Sequence, residues 1–342
     1  MTDRDPTPGP LLEVRDLVVL FDGPAGVARA VDGVSFDIAR GETVALVGES
    51  GCGKSVTALS LLRLIDRPGR IERGSAIRYD GRDLLDLPEP AMRALRGNRI
   101  AMIFQEPATA LNPVFSVGDQ VAEVARIHDR AARDDAWARA VAMLKRTGIP
   151  DATARAHDYP HQLSGGMRQR VMIAMALMMG PTLIIADEPT TALDVTIQAQ
   201  ILDLLRDVQR ASGSAVLLIT HDLGIVAEMA QRVLVMYGGE IVESAPVRTL
   251  FARPAHPYTS GLLRAMPRRG DRRERLDAIP GTVPPATAWP GGCRFRDRCP
   301  HAWDKCAAEA PALVQVTPGH AARCHLVAEP RRRIPATAAA PA

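Results

Sequence analysis

The chain is short of lysine, of aromatic residues and of long apolar runs. Lysine accounts for three of the 42 basic residues, and aromatic residues make up 4% of the 342. The longest apolar run, Val171 to Gly180, is about half the roughly 18–20 residues that a membrane-spanning helix needs. The first ten residues are acidic and Pro-rich and contain no apolar signal region. We therefore expect a cytosolic protein, which can still sit on a membrane by holding a partner that spans it.

The composition is that of a soluble globular protein, with 46% hydrophobic and 24% charged residues over a length of about two domains. Disordered, collagenous and fibrous chains are excluded. The net charge of +3 does not require a nucleic acid partner. Five cysteines are present, and four of them lie between Cys293 and Cys324. In a reducing cytosol this clustering indicates metal ligation more than disulfides.

Short apolar strands alternate with helical patterns, which predicts an α/β fold around a mainly parallel sheet. The two strands that precede a glycine-rich loop indicate an added antiparallel portion, and the Ala- and Arg-rich residues 117–160 indicate a helical insertion. We predict helices over Ser55–Ile65 and Thr196–Gln209. The predicted strands are Leu11–Leu20, Ala28–Ile38, Thr43–Val47, Ile71–Tyr79, Ile100–Phe104, Leu183–Ala186 and Ala215–Thr220.

The segment GESGCGKS, residues 48–55, fits the phosphate-binding pattern G-x-x-x-x-G-K-[ST] and stands between a predicted strand and a predicted helix. Glycines let backbone N–H groups face phosphate oxygens, the helix N-terminus adds its dipole, Lys54 adds a full charge and Ser55 offers a hydroxyl to Mg²⁺. The alternatives are a glycine-rich turn with an incidental lysine and, for Cys52, a small buried side chain. The sequence predicts a nucleotide site formed by Gly48, Glu49, Ser50, Gly51, Cys52, Gly53, Lys54, Ser55 and Val56.

A further apolar strand, LIIA, is followed by two carboxylates, Asp187 and Glu188. At such a position an Asp holds Mg²⁺, and a neighbouring Glu can accept a proton from an attacking water. Two acids after a strand also occur in solvated loops. The functional interpretation of this pair therefore depends on the phosphate loop that precedes it in the chain. We predict Asp187 as a ligand of Mg²⁺ and nucleotide, and Glu188 as the catalytic base.

Residues 163–170, LSGGMRQR, resemble the signature LSGGQ of ATP-binding-cassette (ABC) ATPases, with Met in place of the final Gln. An ordinary capped helix is the alternative for this segment alone, but other motifs match that family in order. The resemblance implies that Gln105 senses Mg²⁺ and the attacking water and that His221 contacts the γ-phosphate. It implies that Phe21 stacks on adenine, although such a Phe also suits a core. It further implies a D-loop, ALD at 192–194, and nucleotide contacts from Ser164, Gly165, Gly166 and Asp194.

The same resemblance implies the fold of a P-loop ABC nucleotide-binding domain, with a RecA-like parallel core, an antiparallel β subdomain and a helical subdomain at about 106–180. We expect this domain at 11–250, between a flexible tail at 1–10 and a Cys-containing extension at 251–328, with a disordered tail at 329–342. Two such chains are expected to form a sandwich dimer. Each ATP would bind between the P-loop of one subunit and the signature of the other, and hydrolysis would release the dimer.

Three segments resemble the ATP-binding subunits of oligopeptide and dipeptide permeases, particularly the D-type subunit: FQEPATALNP at 104–113, LSGGMRQRVMIAMAL at 163–177 and HPYTSGLL at 256–263. This implies a peptide importer at the cytoplasmic face of the inner membrane. Its expected partners are a related second ATPase subunit, two transmembrane permease subunits and an extracytoplasmic solute-binding protein, without nucleic acid. The alternatives are import of nickel or another small solute and a soluble, non-transport ABC ATPase. A non-hydrolysing regulatory cassette is disfavoured, because Lys54, Glu188 and His221 are all present.

The C-terminal cysteines are spaced C-x5-C-x6-C-x17-C, which is not the C-x2-C pairing of zinc ribbons. Permease subunits of this branch carry a comparable set associated with a [4Fe–4S] cluster, and four thiolates can bind one. Zn²⁺, unligated cysteines and disulfides remain alternatives, with His325 and His301 as alternative ligands. Arg294, Arg296 and Arg298 either offset the charge of a cluster or form a solvated face. The resemblance implies a structural cluster on Cys293, Cys299, Cys306 and Cys324.

Overall fold

A computed structural model describes residues 9–191, 195–266 and 278–329. Asp194 of the predicted D-loop and most of the two predicted tails lie outside the described residues. The strands are β1 (Leu12–Gly23), β2 (Gly26–Ile38), β3 (Thr43–Val47), β4 (Gly69–Ile71), β5 (Ala76–Tyr79), β6 (Arg82–Asp83), β7 (Ile100–Ile103), β8 (Leu183–Asp187), β9 (Ala215–Ile219), β10 (Arg232–Tyr237), β11 (Glu240–Pro246), β12 (Leu313–Thr317) and β13 (His320–Arg323).

In the described part of the chain, no helix is both long enough and apolar enough to cross a membrane. Short 3-10 turns at Pro160–Gln162, Arg296–Arg298 and His325–Val327 accompany the α-helices. The α-helices are α1 (Lys54–Leu61), α2 (Glu89–Leu95), α3 (Pro107–Ala110), α4 (Val117–His128), α5 (Arg133–Arg146), α6 (Ala152–Arg155), α7 (Gly165–Leu177), α8 (Val195–Ser212), α9 (Leu223–Met229), α10 (Val247–Ala252), α11 (Pro257–Ala265) and α12 (Asp304–Ala308).

Two predicted elements are too long. The predicted strand Ile71–Tyr79 is wrong, because the chain turns between β4 and β5 at Gly74, whose φ is 93°. Glycine adopts such a positive φ without steric cost, and the polar residues on both sides imitate one alternating strand. The predicted helix Ser55–Ile65 ends early, since Arg63 also has a positive φ of 53° and stops the helical turn.

The chain divides into two compact units, and the first comprises the described residues up to Leu12 together with Asp37–Glu42 and Arg78–Ile219. Its parallel strands pair in the order β9-β8-β7, and β8 is buried along its whole length. Helices occupy the region where the sequence predicts a helical insertion. They share an apolar core that includes Val117, Val121, Ala125, Ala140, Leu144 and Val171.

The second unit comprises Glu13–Phe36, Thr43–Ile77 and the described residues from Thr220 onward. Its strands pair in the order β12-β13-β11-β10-β3, with β3 parallel to β10 and the other pairs antiparallel. In a separate sheet β4 pairs antiparallel with β1. The C-terminal residues therefore continue the sheet whose strand β3 leads into the glycine-rich loop. The core of this unit includes Val47, Val235, Tyr237, Leu250, Tyr258 and Phe295.

Candidate functional site

The glycine-rich loop, residues 48–55, connects the end of β3 with the start of α1, as the sequence predicts. Two of its glycines have no room for a side chain. A Cβ on Gly48 would lie 2.2 Å from the carbonyl oxygen of Met236, and a Cβ on Gly53 would lie 2.4 Å from that of Ala30. Gly53 also has a φ of 106°. Close packing thus fixes the loop at the N-terminus of α1, where the helix dipole favours an anion.

Lys54 lies over this loop and is 5% exposed. Its Nζ donates to the carbonyl oxygens of Gly48, at 2.8 Å, and Glu49, at 3.0 Å. This is the charge that a P-loop presents to the β- and γ-phosphates. Cys52 is buried, and burial raises the pKa of its thiol, so the neutral side chain fills space in the loop.

The other predicted contacts of the loop differ in exposure. Ser50 and Gly51 are exposed, whereas Ser55 and Val56 on the first turn of α1 are half-buried. Glu49 is half-buried as well, and its backbone N–H donates to the Tyr258 hydroxyl at 2.8 Å. The loop therefore offers its tip to solvent and has its base packed into the second unit.

The acidic strand end lies in the first unit, where it meets the predicted glutamine. Asp187 ends β8 and is 4% exposed, and Glu188 follows with a φ of 46°. Gln105 Nε2 donates to Glu188 Oε2 at 3.2 Å, and Thr191 Oγ1 donates to the same oxygen at 2.8 Å. A positive φ is costly for a glutamate and is typical of functional positions. The structure thus brings together two of the three predicted catalytic residues, Gln105 and Glu188.

The signature segment opens α7. Ser164 is the N-cap, and its hydroxyl accepts a hydrogen bond from the backbone N–H of Met167 at 3.3 Å. Ser164 and Gly165 are exposed, and Gly166 is half-buried beside the side chain of Ile197. This end of α7 therefore presents a hydroxyl and free helical N–H groups, which suit an anion.

A buried amide connects the signature helix with the acidic segment. Gln169, one and a half turns into α7, is 2% exposed, and its Nε2 donates to the carbonyl oxygen of Pro189 at 2.7 Å. Sequence reasoning missed this contact. The glutamine stands in a conspicuous motif, but its partner lies 20 residues further along the chain.

His221 is exposed at the start of the segment that leads into α9. The preceding residue, Thr220, donates its N–H to the carbonyl oxygen of Leu46 at 3.4 Å, which brings the segment beside β3 and its loop. Asp222 caps α9 by accepting hydrogen bonds from two backbone N–H groups. The position suits a side chain that contacts a nucleotide held by the loop.

Phe21, the predicted adenine contact, lies on β1 opposite Gly69 of β4. The ring is half-buried, and its Cε1 atom lies 2.5 Å from where a Cβ on Gly69 would stand. Glycine at this position thus makes room for the ring. This packing accounts for one side of Phe21, and its role toward a base stays a prediction.

The four C-terminal cysteines line one small cavity. None of them forms a disulfide, and Cys293 N–H donates to the carbonyl oxygen of Cys306 at 2.8 Å. Burial is the main cause that raises the pKa of Cys299 to about 11 and that of Cys324 to about 12. Among the described residues, no group of three or more His, Cys, Asp or Glu side chains is arranged to hold a metal ion. The four thiols therefore converge on one cavity, but these described residues do not form a ready-made site for a single metal ion.

Two further predictions for this segment have different outcomes. His325 lines the cavity, and its Nε2 lies 3.0 Å from the carbonyl oxygen of Glu309. The alternative that the arginines form a solvated face is wrong for Arg294 and Arg298, whose side chains are 12% and 5% exposed, whereas their role toward a cluster's charge stays a prediction. Arg298 pairs with Glu49, and Arg294 pairs with Asp32 and Glu240. These partners lie between 54 and 262 positions away from the arginines in the sequence, so no local pattern predicts them.

Known proteins match the chain in both of its parts. The sequence profile described as ABC transporter matches residues 31–191, and the one described as oligopeptide/dipeptide transporter, C-terminal region, matches residues 242–306. The structure of the ATP-binding cassette MJ0796, a dimer in a post-hydrolysis state bound to ADP and Pi, matches 69% of this chain and 99% of that one. The match has a TM-score of 0.63 and 27% identity. The fold and the phosphate loop define an ATPase of the ATP-binding-cassette class.

Relatives that match nearly the whole chain identify the family within this class. A probable peptide ABC transporter ATP-binding protein of Sinorhizobium fredii is 55% identical over 92% of this chain and 94% of its own. The dipeptide transport ATP-binding protein DppD of Escherichia coli is 48% identical over 92% of this chain and 96% of its own. The chain belongs to the family of ABC transporter ATP-binding proteins that carry the oligopeptide/dipeptide transporter C-terminal region.

Proposed function

We propose that the chain is the ATP-hydrolysing subunit of an importer for oligopeptides or dipeptides. One observation carries the proposal: the similarity to peptide-transport ATP-binding proteins extends over nearly the whole chain, through the cassette and the C-terminal region alike. The pairing of Gln105 with Glu188 supports the hydrolytic part of the proposal. The overall reaction converts ATP and water to ADP and phosphate.

The catalytic roles follow from the chemistry of the residues. Glu188 accepts a proton from the water that attacks the γ-phosphate, and the bond between the β–γ bridging oxygen and the γ-phosphorus breaks to leave ADP. Gln105, hydrogen-bonded to Glu188, orients that water. Lys54 holds the β- and γ-phosphates, and His221 contacts the γ-phosphate.

The oxygen donors for a magnesium ion are of the correct kind. Ser55 offers a hydroxyl, Asp187 a carboxylate and Gln105 an amide oxygen, and Mg²⁺ prefers oxygen ligands, several of them from water and phosphate. When bound, the ion neutralises charge on the transferred phosphoryl group. We assign these three residues to it.

The exposed signature is the basis for proposing a sandwich dimer. Ser164 and Gly165 face solvent in a single chain, so a phosphate held by the P-loop of another subunit can reach them. Gly166, Phe21 and Asp194 complete the proposed nucleotide contacts. Two ATP molecules at the seam would hold the dimer closed, and their hydrolysis would open it.

The proposed assembly contains a related second ATPase subunit, two transmembrane permease subunits and an extracytoplasmic solute-binding protein. This chain would bind peripherally to the permeases at the cytoplasmic face of the inner membrane. The match to a C-terminal region shared by oligopeptide and dipeptide transporters supports such partners. The domain boundaries at 11–250 and 251–328 are part of this proposal.

A [4Fe–4S] cluster on Cys293, Cys299, Cys306 and Cys324 is the proposed occupant of the cysteine cavity. Two observations support the proposal: four thiols are available for the four ligand positions, and all four line one cavity with none in a disulfide. A bound cluster would cross-link the C-terminal segment. Burial raises the pKa of the Cys299 and Cys324 thiols, and a cluster binds thiolates, so loading would release protons from these two residues.

The cluster is tested by iron and sulfide analysis of anaerobically purified protein, with the visible absorption that [4Fe–4S] proteins show near about 400 nm. Replacing Cys299 with Ser should abolish the absorption, whereas replacing Cys52 with Ser should retain it. Protein with stoichiometric zinc and no iron would exclude the cluster.

Transport is tested with the complete complex, co-purified and reconstituted in proteoliposomes. We expect ATP-dependent uptake of a labelled dipeptide or oligopeptide that stops in the Glu188→Gln variant. The Asp203→Asn variant, which removes an exposed charge on α8, serves as the control. Uptake of nickel but of no peptide would favour the alternative substrate and contradict the proposal.

A further inference from the structure

Arg298 reaches from the cysteine segment to the glycine-rich loop. Its guanidinium donates to both carboxylate oxygens of Glu49, with Nη1 to Oε2 at 2.6 Å and Nη2 to Oε1 at 2.9 Å. Its Nε donates to the carbonyl oxygen of Pro280 at 2.8 Å, and its side chain is 5% exposed. A guanidinium fixed at three such points holds its partner carboxylate in one orientation.

Aromatic rings fix the same guanidinium from the side. The Cζ atom lies 5.7 Å from the ring centroid of Tyr237 and 6.0 Å from that of Phe295. Both rings belong to the core of the second unit and contact Tyr258, whose hydroxyl accepts the N–H of Glu49. Glu49 is thus bound to the C-terminal region through its backbone as well as its carboxylate.

The third contact of Glu49 leads to the residue that meets the phosphates. Its carbonyl oxygen accepts a hydrogen bond from Lys54 Nζ at 3.0 Å. Movement of Glu49 would therefore displace the backbone of the loop and the ammonium above it. The contact between Arg298 and Glu49 therefore affects the geometry of the phosphate site.

The charges of Arg298 and Glu49 indicate that their contact favours binding of a triphosphate. A triphosphate carries several negative charges, and a carboxylate on the phosphate loop repels it. The Glu49 side chain is 31% exposed, and Arg298 is the partner that both of its carboxylate oxygens contact. Arg298 cancels this charge and holds the carboxylate toward the C-terminal region.

We infer that Arg298 is a positioning residue for ATP binding, which neutralises and orients Glu49 so that the glycine-rich loop accepts a triphosphate. The inference rests on the proposed nucleotide site. It extends that proposal by making the affinity for ATP depend on the C-terminal region.

The test measures binding of a non-hydrolysable ATP analogue to the full chain by isothermal titration calorimetry. Arg298→Gln should raise Kd about tenfold, because it leaves an unpaired carboxylate beside the phosphates. Glu49→Gln completes the mutant cycle, because it removes the carboxylate that Arg298 neutralises and so gives the effect of that carboxylate on Kd by itself. The double variant Glu49→Gln/Arg298→Gln should therefore bind more tightly than Arg298→Gln alone, within about threefold of the wild type.

Arg296→Gln is the matched control, because it removes the same charge from the same 3-10 turn while its guanidinium donates to Gly291 and Asp297 in its own segment. Its Kd should equal that of the wild type. The weakening in Arg298→Gln should also shrink as salt is raised, since salt screens the exposed carboxylate. Should Arg298→Gln fail to fold, Arg298→Met, which keeps an apolar stem beside Tyr237, replaces it in both comparisons.

A double variant that binds no better than Arg298→Gln would show that the arginine only stabilises the fold, and would overturn the inference. Unchanged affinity in Arg298→Gln would do the same. Loss of binding in the wild type and in Arg296→Gln would instead contradict the proposed nucleotide site. The two failures are therefore distinguishable.

Discussion

Two regions of the second unit are stabilised in different ways. The strands β3 and β10, which carry the glycine-rich loop, are apolar and almost entirely buried. The C-terminal strand β12 is exposed along its whole length. Polar contacts join the C-terminal region to the rest of the unit: Arg298 pairs with Glu49 of the glycine-rich loop, and His320 is hydrogen-bonded to Glu243 of β11. Apolar burial is non-directional, whereas a buried polar contact is lost as soon as one partner is removed, so the two regions should respond differently to a single substitution.

The pair of His320 and Glu243 is the clearest case. Glu243 is fully buried, and its carboxylate accepts the N–H groups of Ala255 at 2.7 Å and His256 at 2.9 Å. The Nε2 atom of His320 lies 2.8 Å from the same carboxylate. One side chain thus connects β11, β13 and the segment that precedes α11.

Removing that carboxylate should have the largest effect on stability. Glu243→Ala leaves two buried N–H groups and an imidazole without their acceptor, and we expect a loss of about 4 kcal/mol in the free energy of unfolding. Chemical denaturation measures it. The exposed Glu309→Ala is the control and should change the free energy by less than about 0.5 kcal/mol. A similarly small loss in both variants would remove the distinction between the two regions.

The phosphate lysine should have the largest effect on nucleotide binding. Lys54→Ala removes the charge over the loop, and we expect an increase of about 100-fold in the Kd for ATP. Lys145→Ala, on the exposed last turn of α5, is the matched control and should bind ATP as the wild type does. Equal affinities in the two variants would reject the phosphate role of Lys54.

The C-terminal region should also lose stability in mild acid. Burial is the main cause that lowers the pKa of His256 to about 4 from its ordinary 6.5, and Nδ1 accepts the N–H of Tyr258 at 3.1 Å. Between these values the unfolded chain takes up a proton that the folded chain does not. Stability therefore falls as the pH falls from 6.5 to 4, by up to about 3 kcal/mol, and this contribution levels off below pH 4.

His256→Asn separates this contribution from other titrations, because the amide oxygen can accept the same N–H but does not titrate. The difference in unfolding free energy between wild type and variant should therefore change from pH 7 to pH 4. A constant difference would contradict the assignment.

Two helix caps provide the smallest and most selective comparison. Ser164 caps α7 and Ser116 caps α4 with the same hydroxyl-to-N–H contact. Changing either to Ala should cost about 1 kcal/mol of stability. Only Ser164→Ala should also reduce ATP hydrolysis, because only that hydroxyl belongs to the signature. Equal ATPase rates in the two variants would show that Ser164 only caps the helix.

The sequence predicts the elements of the cassette better than the contacts of the C-terminal region. A phosphate loop can be predicted from the sequence because its glycines, lysine and serine stand at fixed spacing. Apolar strands can be predicted as well, because their pattern is contained in a few neighbouring residues. Gln105 and Glu188 are 83 positions apart; Glu188 was predicted from the acidic end of an apolar strand, and Gln105 only from the resemblance to ABC ATPases. Arg298 and Glu49 are 249 positions apart, and nothing near either residue specifies the other. The break at Gly74 was missed for the opposite reason, since one glycine can turn a chain without altering the pattern around it.

One measurement tests the central claim most directly: the fate of ATP on the complete complex that contains Glu188→Gln. With Mg²⁺ and labelled ATP, the account predicts that the variant retains intact nucleotide stoichiometrically, releases phosphate at least about 100-fold more slowly than the wild type, and remains a closed ATPase dimer. Phosphate release at the wild-type rate would contradict both the assignment of Glu188 as the base and the account of how hydrolysis opens the dimer.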